Sequence, residues 1–306
     1  MFNEESKRNF KNYKIERASY DPFYIDNVFN KTEPFETELN KDACNFSSIE
    51  IENMYKTMNF TSANTLMMFN SLLLSYTGYC FMNGLVIDSQ NHYEEFDSER
   101  LSNLVNKFIL NSKIVSKKKI CEWCNELPNP SDRFLLLGLF EGISGNDYIE
   151  FAELKREDID AENCEINLPE RGKAKFSKQL CDYAIDSADE TVYTALTPKG
   201  KESNLIKSEY VLKNFPNVQE GVSRFRKGRR IYGRIRRIFV YLGVDSYLKP
   251  SDILDSGVID YINNKGRESG VGAKEYLFKN FQDVQKNFNR HIQASRFYGE
   301  YKDFLE

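Results

Sequence analysis

Histidine is nearly absent from this sequence, since its 306 residues contain only His92 and His291. Chemistry that needs a histidine anywhere from 93 to 290 is therefore excluded. Long apolar runs are absent too: no stretch of about 18 apolar residues exists, so no transmembrane helix and no membrane partner is predicted. The first ten residues, MFNEESKRNF, lack the apolar core of a signal peptide, and we expect a cytoplasmic protein.

Cysteine pairs that would indicate disulfides or a complete metal site are also lacking. The six cysteines are scattered, which fits a reducing compartment. One pair, Cys121 and Cys124 in CEWC, has the spacing of half a zinc site, but no second CxxC and no histidine pair accompanies it. We therefore predict free thiols, no metal ion and no cofactor.

Positive charge is outnumbered by negative charge overall but is concentrated in one stretch. The net charge is −4, and the first 60 residues are rich in acids, whereas many nucleic-acid-binding proteins are basic overall. Residues 224–237, RFRKGRRIYGRIRR, nevertheless hold eight of the 42 Lys and Arg residues and no acid. A local field of one sign can attract a polyanion despite an acidic total.

Apolar side chains recur at helical spacing through most of the chain, with Gly, Pro, Ser and Thr at the breaks. This pattern predicts helices at 47–58, 61–84, 98–111, about 229–242 and much of 251–306. Residues 163–180, NCEINLPERGKAKFSKQL, predict two short strands around a turn. The predicted fold class is mainly α with a small β-hairpin or sheet.

The domain organisation follows from the same pattern. Residues 1–33 are polar and aromatic without a clear period, and we interpret them as an N-terminal arm or lead-in. Residues 34–112 are predicted to form a helical domain. Residues 113–306, which begin with a basic run, are predicted to form a second domain.

The basic stretch is predicted to form an amphipathic helix. At about 100° per residue, Arg230, Arg234 and Arg237 fall on one narrow stripe, and Arg229 and Arg236 flank it. The isoleucines of the same helix fall on another face. One face is thus predicted to pack in a core and the basic face to bind something else.

Residues 140–160, FEGISGNDYIEFAELKREDID, resemble the first catalytic motif of the tyrosine recombinases, or phage integrases. TSANTLMMFNSLLLSYTGYC, at 61–80, is similar to the long helix of their core-binding domain. The order and spacing of these segments resemble the two-domain recombinase architecture across most of the chain. The resemblance implies a helical core-binding domain and a catalytic domain that clamp DNA.

The residues that carry recombinase chemistry are mostly replaced. The position of the first catalytic arginine holds Asp147, and no arginine lies within eight residues of it. The His-x-x-Arg motif aligns with Ser251 and Leu254. Since each such donor contributes about 10²–10³ to the rate, the resemblance implies a protein without recombinase activity.

Two catalytic positions keep a matching residue type. Lys173 matches the hairpin lysine of the family, and Tyr298 lies where the nucleophile is expected, with Tyr301 as the competing assignment. The chain has 18 tyrosines, so a packing role for Tyr298 is the simpler interpretation.

The DNA-binding face need not be lost together with the catalytic residues. In the family, the helix before the His-x-x-Arg motif lies against the duplex, and arginine suits both phosphates and guanine. The resemblance therefore predicts double-stranded DNA as the partner. The predicted DNA-binding residues are Arg224, Arg226, Lys227, Arg229, Arg230, Arg234, Arg236, Arg237, Lys173 and Lys118. A solvated basic face, paired with the acidic N-terminal region, is the alternative.

Residues 129–145, NPSDRFLLLGLFEGISG, and the degenerate catalytic motifs of this chain resemble the master repressor family of SPbeta-like Bacillus phages, which has a tyrosine recombinase fold without the catalytic set. This resemblance predicts a sequence-specific repressor that binds operator sites, maintains lysogeny and is associated with the nucleoid of the host cell. A protein or peptide antagonist is compatible with it, and the oligomeric state stays open. The alternatives are an active recombinase with an unusual site, an accessory factor in recombination, and a module whose basic face binds an acidic protein.

Overall fold

The computed structural model describes residues 2–18, 21–87, 90–216 and 223–306, and it is mostly helical, as predicted. The chain forms two compact units, Met1–Leu110 and Asn111–Glu306. No helix in the described part of the chain is long and apolar enough to cross a membrane.

Helices account for nearly all of the regular structure in the first part of the chain. They are α1 (Glu4–Ala18), α2 (Pro22–Leu39), α3 (Ser48–Met58), α4 (Ala63–Met82), α5 (Ser98–Asn103) and α6 (Lys107–Lys113). The side chain of Ser62 caps α4 by accepting a hydrogen bond from the Thr65 amide. The helix predicted over 98–111 is instead two short helices, because the chain breaks at 104–106 and Asn106 accepts from the Ile109 amide.

The N-terminal segment is not an arm, which corrects the interpretation of 1–33. Its described residues form α1 and the first half of α2, and Phe10 and Phe29 are buried in the N-terminal core. The ring of Phe10 lies edge-on to Tyr76 of α4 at 5.3 Å. Lys7 of α1 is also buried and pairs with Glu36 of α2. A buried charge of this kind is stable only when paired, so the two helices are tied to the core.

The C-terminal unit contains nine helices among its described residues. They are α7 (Lys117–Glu126), α8 (Pro130–Phe140), α9 (Ile149–Glu153), α10 (Lys178–Asp189), α11 (Arg224–Tyr241), α12 (Pro250–Glu268), α13 (Ala273–Lys279), α14 (Phe281–Phe288) and α15 (Ala294–Tyr301). Helix α8 is buried along nearly its whole length and packs against α7, α10 and α12, as expected for a helix that is apolar on all sides. It begins at Pro130, and Asn129 is the N-cap residue.

Two small antiparallel sheets complete this unit. The first has the order β1 (Ile159–Asp160), β2 (Glu165–Leu168) and β3 (Gly172–Lys175), and includes the predicted hairpin. Ile166 pairs with Ala174 in its register, so Ile166 and Leu168 face the core. The second sheet pairs β4 (Val192–Thr194) with β5 (Glu202–Asn204).

Candidate nucleic-acid interface

Helix α11 carries the basic stretch, and its apolar face anchors it in the C-terminal unit. Ile231, Ile235, Ile238 and Phe239 are buried, as the helical pattern predicts. The helix starts at Arg224 rather than near 229, so all eight cations belong to it. Gly228 touches the backbone of Asp147, since a Cβ there would lie 2.1 Å from the Asp147 carbonyl oxygen.

Four of the eight cations are engaged within the protein. Arg224 pairs with Glu170, and Lys227 donates to Glu153 at 2.8 Å. The guanidinium of Arg236 donates to the carbonyl oxygens of Leu248 and Asp245 at 2.8 and 3.1 Å. These contacts hold α11 against its surroundings, so they reduce the charge available to a ligand.

Arg234 is the clearest case of a structural cation. Its Nε donates to Asp132 at 2.6 Å, its Nη2 donates to Ser131, and its guanidinium lies 4.7 Å from the Tyr193 ring centroid. Only 12% of its side chain is exposed, and Asp132 is fully buried. Burial alone lowers the pKa of Arg234, but the charges of Asp132, Tyr193 and Glu190 and the hydrogen bond to Asp132 together make the net shift upward. The grouping of Arg234 with Arg230 and Arg237 on one DNA-facing stripe is therefore corrected.

The other four cations of α11 are exposed. Arg226, Arg229, Arg230 and Arg237 form no hydrogen bond or ion pair with any residue that the structure describes. They lie within an arc of about 100° around the helix and over about 16 Å along it. We call these four arginines the free arginine face. The guanidinium of Arg229 lies 5.8 Å from the centroid of the Phe225 ring.

The two predicted lysines outside α11 are exposed as well. Lys118, at the start of α7, forms no ion pair with the described residues, whereas Lys117 pairs with Glu141 at 3.0 Å. Lys173 lies on β3 and points to solvent. The pKa of Asp160 is lowered mainly by hydrogen bonds from Asn163, and the charge of Lys173 contributes. Lys173 is therefore on the outside of the small sheet.

Asp147 lies in a tight turn that docks onto α11. Both Asp147 and Tyr148 have left-handed backbone conformations, with φ of 55° and 57°. Non-glycine residues rarely adopt this conformation, and two in succession are held here by contacts with Gly228 and by the Tyr148 ring, 6.3 Å from that of Tyr232. The side chain of Asp147 is exposed. A carboxylate at this point repels a phosphate that approaches it.

A buried ion pair occupies the region behind this turn. Glu150 is fully buried, and Arg171, at the tip of the hairpin, places its Nε 3.1 Å from Oε1 of Glu150. Arg171 also donates to the carbonyl oxygens of Gly142, at 2.8 Å, and Asn287. The hairpin residue that turns inward is thus Arg171 and not Lys173.

Glu170, next to Arg171, extends this network to the surface. Its Oε2 accepts from the Asn146 amide at 3.1 Å and from the Asn289 side chain at 3.0 Å, and its Oε1 pairs with Arg224. The hydrogen bonds and the ion pair of Glu170 therefore hold together the hairpin tip, the Asp147 turn and the start of α11.

The second degenerate motif lies at the start of α12. Ser251 is exposed in the first turn, whereas Leu254 is largely buried. The next residue, Asp255, pairs with Arg290 and accepts a hydrogen bond from the Tyr301 hydroxyl at 3.0 Å. Burial raises the pKa of Asp255. Asp255, Arg290 and Tyr301 line a pocket of about 380 Å³ beside α15.

The two candidate tyrosines occupy different environments. The Tyr298 ring packs edge-on against Phe278 at 6.0 Å, and the Lys274 ammonium lies 4.9 Å from its centroid. Tyr301 is buried, and its pKa is raised by burial and then by the charge of Asp255. A hydroxyl that ionises less readily is a poorer nucleophile. Both tyrosines have evident packing roles.

No cluster of three or more His, Cys, Asp or Glu side chains within the described ranges has the arrangement of a metal site. Cys121 donates to Gln179 at 3.6 Å and Cys124 to the Arg133 carbonyl at 3.7 Å, so the two thiols face different partners.

Several residues that shape this interface were missed at the level of sequence. Gly228 and Gly233 lie within the basic run RKGRRIYGR, and the glycines themselves were a signal, since glycine is costly inside a helix. Arg171, Glu170 and Asn289 come together only through the tertiary fold, and no local pattern indicates their contacts.

Comparison with known proteins supplies the family. The model described as "MrpR, N-terminal core-binding domain" matches residues 1–82, and that described as "MrpR, C-terminal catalytic domain" matches residues 114–305. The SPbeta prophage-derived uncharacterized protein YopR of Bacillus subtilis (strain 168) is 25% identical over 279 residues, which cover 87% of this chain and 83% of YopR. The crystal structure of XerA recombinase covers 98% of this chain and 97% of its own, at 12% identity and a TM-score of 0.37.

Proposed function

The chain belongs to the MrpR family, with a recombinase-like core-binding domain and a C-terminal domain of the catalytic type, and from this premise we propose that it is a sequence-specific DNA-binding repressor of a prophage. It binds double-stranded operator sites, maintains lysogeny and does not cut DNA. The observation that carries the proposal is the free arginine face, four exposed guanidinium groups on one side of a well-anchored helix.

The free arginine face suits DNA better than an acidic protein surface. Its guanidinium groups extend over about 16 Å of helix, and the major groove, about 12 Å wide, admits one α-helix. Arginine binds phosphate oxygens and also pairs bidentately with guanine, so the same face supplies affinity and base discrimination. Lys118 and Lys173 add two exposed cations for the phosphate backbone.

The absence of recombination is supported by what occupies the catalytic positions. Asp147 repels phosphate, Leu254 is buried and apolar, and the hydroxyl of Tyr301 donates a hydrogen bond to Asp255. No cation is present at these positions to stabilise a pentacoordinate phosphorus. The buried arginine of the region, Arg171, is already neutralised by Glu150.

Mobility shifts with fragments of the prophage genome test the binding part of the proposal. We expect discrete fragments to shift in the presence of excess competitor DNA. A variant with Arg226, Arg230 and Arg237 changed to Ala should lose these shifts while keeping its melting temperature. Equal shifts of all fragments, or none at all, would contradict a site-specific regulator.

A suicide DNA substrate tests the catalytic part separately. We expect no covalent protein–DNA adduct with a nicked fragment that shifts, and no relaxation of a supercoiled plasmid that carries it. An adduct that disappears in Tyr298→Phe or Tyr301→Phe would establish an active recombinase and refute the non-catalytic repressor.

A further inference from the structure

Helix α11 contains two glycines whose surroundings are opposite. Gly228 is required by close packing, because a Cβ there would lie 2.1 Å from the Asp147 carbonyl oxygen. At Gly233 the nearest atom to a built Cβ is Nη1 of Arg237, at 3.9 Å, which is ordinary van der Waals contact. Nothing within the described fold therefore explains a glycine at 233.

The glycine at 233 is unfavourable for the helix that contains it. Glycine loses more conformational freedom on folding than any other residue, and alanine is the best helix former. Gly233 is in the interior of α11, and its backbone φ is negative, as in an ordinary α-helix. An alanine would thus fit and would stabilise the helix.

Gly233 lies at the centre of the free arginine face. Viewed down the helix, Arg226 and Arg237 lie on one side of Gly233 within about 40°, Arg229 lies about 40° to the other side, and Arg230 lies about 60° away. Along the axis, Gly233 lies between Arg230 and Arg237, one turn from each. The guanidinium of Arg237 extends back over Gly233, as helical side chains do.

We infer that Gly233 is the point where DNA meets the main chain of α11, and that its missing side chain determines how deeply the helix enters the groove. This inference rests on the proposed DNA-binding function and deepens it. A bare backbone surrounded by arginines lets a base edge or sugar–phosphate segment reach the helix while the guanidinium groups bind on either side. A side chain at 233 would hold the duplex away from all four arginines at once.

The test compares Gly233→Ala with Gly299→Ala. Gly299 is a helical glycine as well, at an exposed position of α15, and a Cβ there would meet nothing within 4 Å. The probes are a duplex with the protected sequence of a shifted prophage fragment and a scrambled duplex of equal length. Binding is measured by fluorescence anisotropy, and folding by thermal unfolding.

The two substitutions should stabilise alike and differ in binding. Each is expected to raise the melting temperature by about 2–4 °C. Gly233→Ala should weaken specific binding about tenfold or more, because an added methyl group in a close contact costs roughly this factor, whereas Gly299→Ala should leave it unchanged. Gly233→Leu should lose the preference for the specific duplex altogether.

Three results would overturn the inference. Unchanged affinity of Gly233→Ala, together with loss of binding by the variant with Arg226, Arg230 and Arg237 changed to Ala, would refute the role of Gly233 and leave the DNA-binding function intact. A lower melting temperature of Gly233→Ala would show that the glycine serves the fold. Failure of the wild-type protein to prefer any duplex would refute both the inference and the proposed function.

Discussion

Arg230 and Arg234 are one helical turn apart in an unbroken basic run, and the structure gives them unrelated environments. Arg234 is buried against Asp132 and the Tyr193 ring, whereas Arg230 is exposed and has no ion-pair partner in the described ranges. The difference lies in the face of α11 that each residue occupies, and in Asp132, which is over 100 residues away in sequence.

Alanine substitutions at these two positions should therefore have opposite consequences. Arg234→Ala leaves a buried carboxylate without its partner, which typically costs about 3–5 kcal/mol in the free energy of unfolding. Arg230→Ala should change stability by less than about 0.5 kcal/mol, as for most surface substitutions. Urea unfolding measures both. Equal stability of the two variants would contradict the assignment of Arg234 to the fold.

Their effects on DNA binding should differ in the same way. Under conditions where both variants are folded, Arg230→Ala should weaken binding and reduce the salt slope by about one unit. Arg234→Ala should retain the slope of the wild-type protein.

Glu190, close to the Arg234 pair, gives a prediction for pH. It is buried, one of its carboxylate oxygens has no hydrogen-bond partner in the described structure, and burial raises its pKa above the usual value of 4.5. As the pH rises, the Glu190 carboxyl group therefore loses its proton in the unfolded chain before it does so in the folded protein. The contribution of Glu190 to the free energy of unfolding falls from about pH 4.5 until the pH passes the raised pKa of the folded state.

Glu190→Gln should remove this decrease in the free energy of unfolding. The stability of the variant relative to wild type should increase as the pH rises through that window and stay constant above it. Urea unfolding between pH 4 and 8 measures the difference, and Glu202→Gln, at an exposed position of β5, is the control. A difference independent of pH would show that the pKa of Glu190 is not raised.

At the scale of elements, α11 is positioned by the turn at Asp147 as much as by its isoleucines. The carbonyl of Asp147 lies directly over Gly228, and Arg224 is tied to Glu170 of the hairpin. The strained turn, the hairpin tip and the helix therefore form one structural block. Its integrity determines the orientation of the free arginine face.

Gly228→Ala should break this contact. The added methyl group would collide with a backbone carbonyl, which cannot move without the turn, and overpacking of this kind costs about 1–3 kcal/mol. This exceeds the gain of about 1 kcal/mol from helix propensity, so the net effect should be destabilising. Thermal unfolding measures it, with Gly233→Ala as the comparison of opposite sign. Stabilisation by Gly228→Ala would contradict the packing of α11 on the turn.

The elements differ in how far the sequence predicts them. The spacing of apolar residues located α3, α4, the β2–β3 hairpin and the helical C-terminal part, because these signals are local. The segment 1–33 was misinterpreted because its buried aromatic residues, such as Phe10, are few and widely spaced and find their partners in α4. The basic helix was predicted, but which of its cations are engaged depends on Asp132, Glu153 and Glu170, and contacts this distant leave no local signal.

At the scale of the whole molecule, an acidic protein carries a basic face on α11. The net charge of −4 disfavours indiscriminate binding to nucleic acid, while the free arginine face gives a local field of the opposite sign. Affinity should then depend largely on the four arginines and decline with salt in proportion to the number of phosphates that they neutralise. In the proposed function, discrimination between sequences should come from the same arginines, because arginine also pairs bidentately with guanine.

The salt dependence of binding to a shifted prophage fragment tests this account most directly. It compares wild type with a variant in which Arg226, Arg229, Arg230 and Arg237 are changed to Ala. The control variant loses four exposed lysines outside α11, and these are Lys199, Lys201, Lys207 and Lys302.

If the four arginines neutralise phosphates, the slope of log K against log salt should become shallower by up to about 3–4 units in the arginine variant. The same variant should lose its preference for the specific fragment. The lysine variant, with the same change in net charge, should keep both the slope and the preference of wild type. Equal effects of the two variants would mean that total charge rather than the free arginine face governs binding, and would contradict the account.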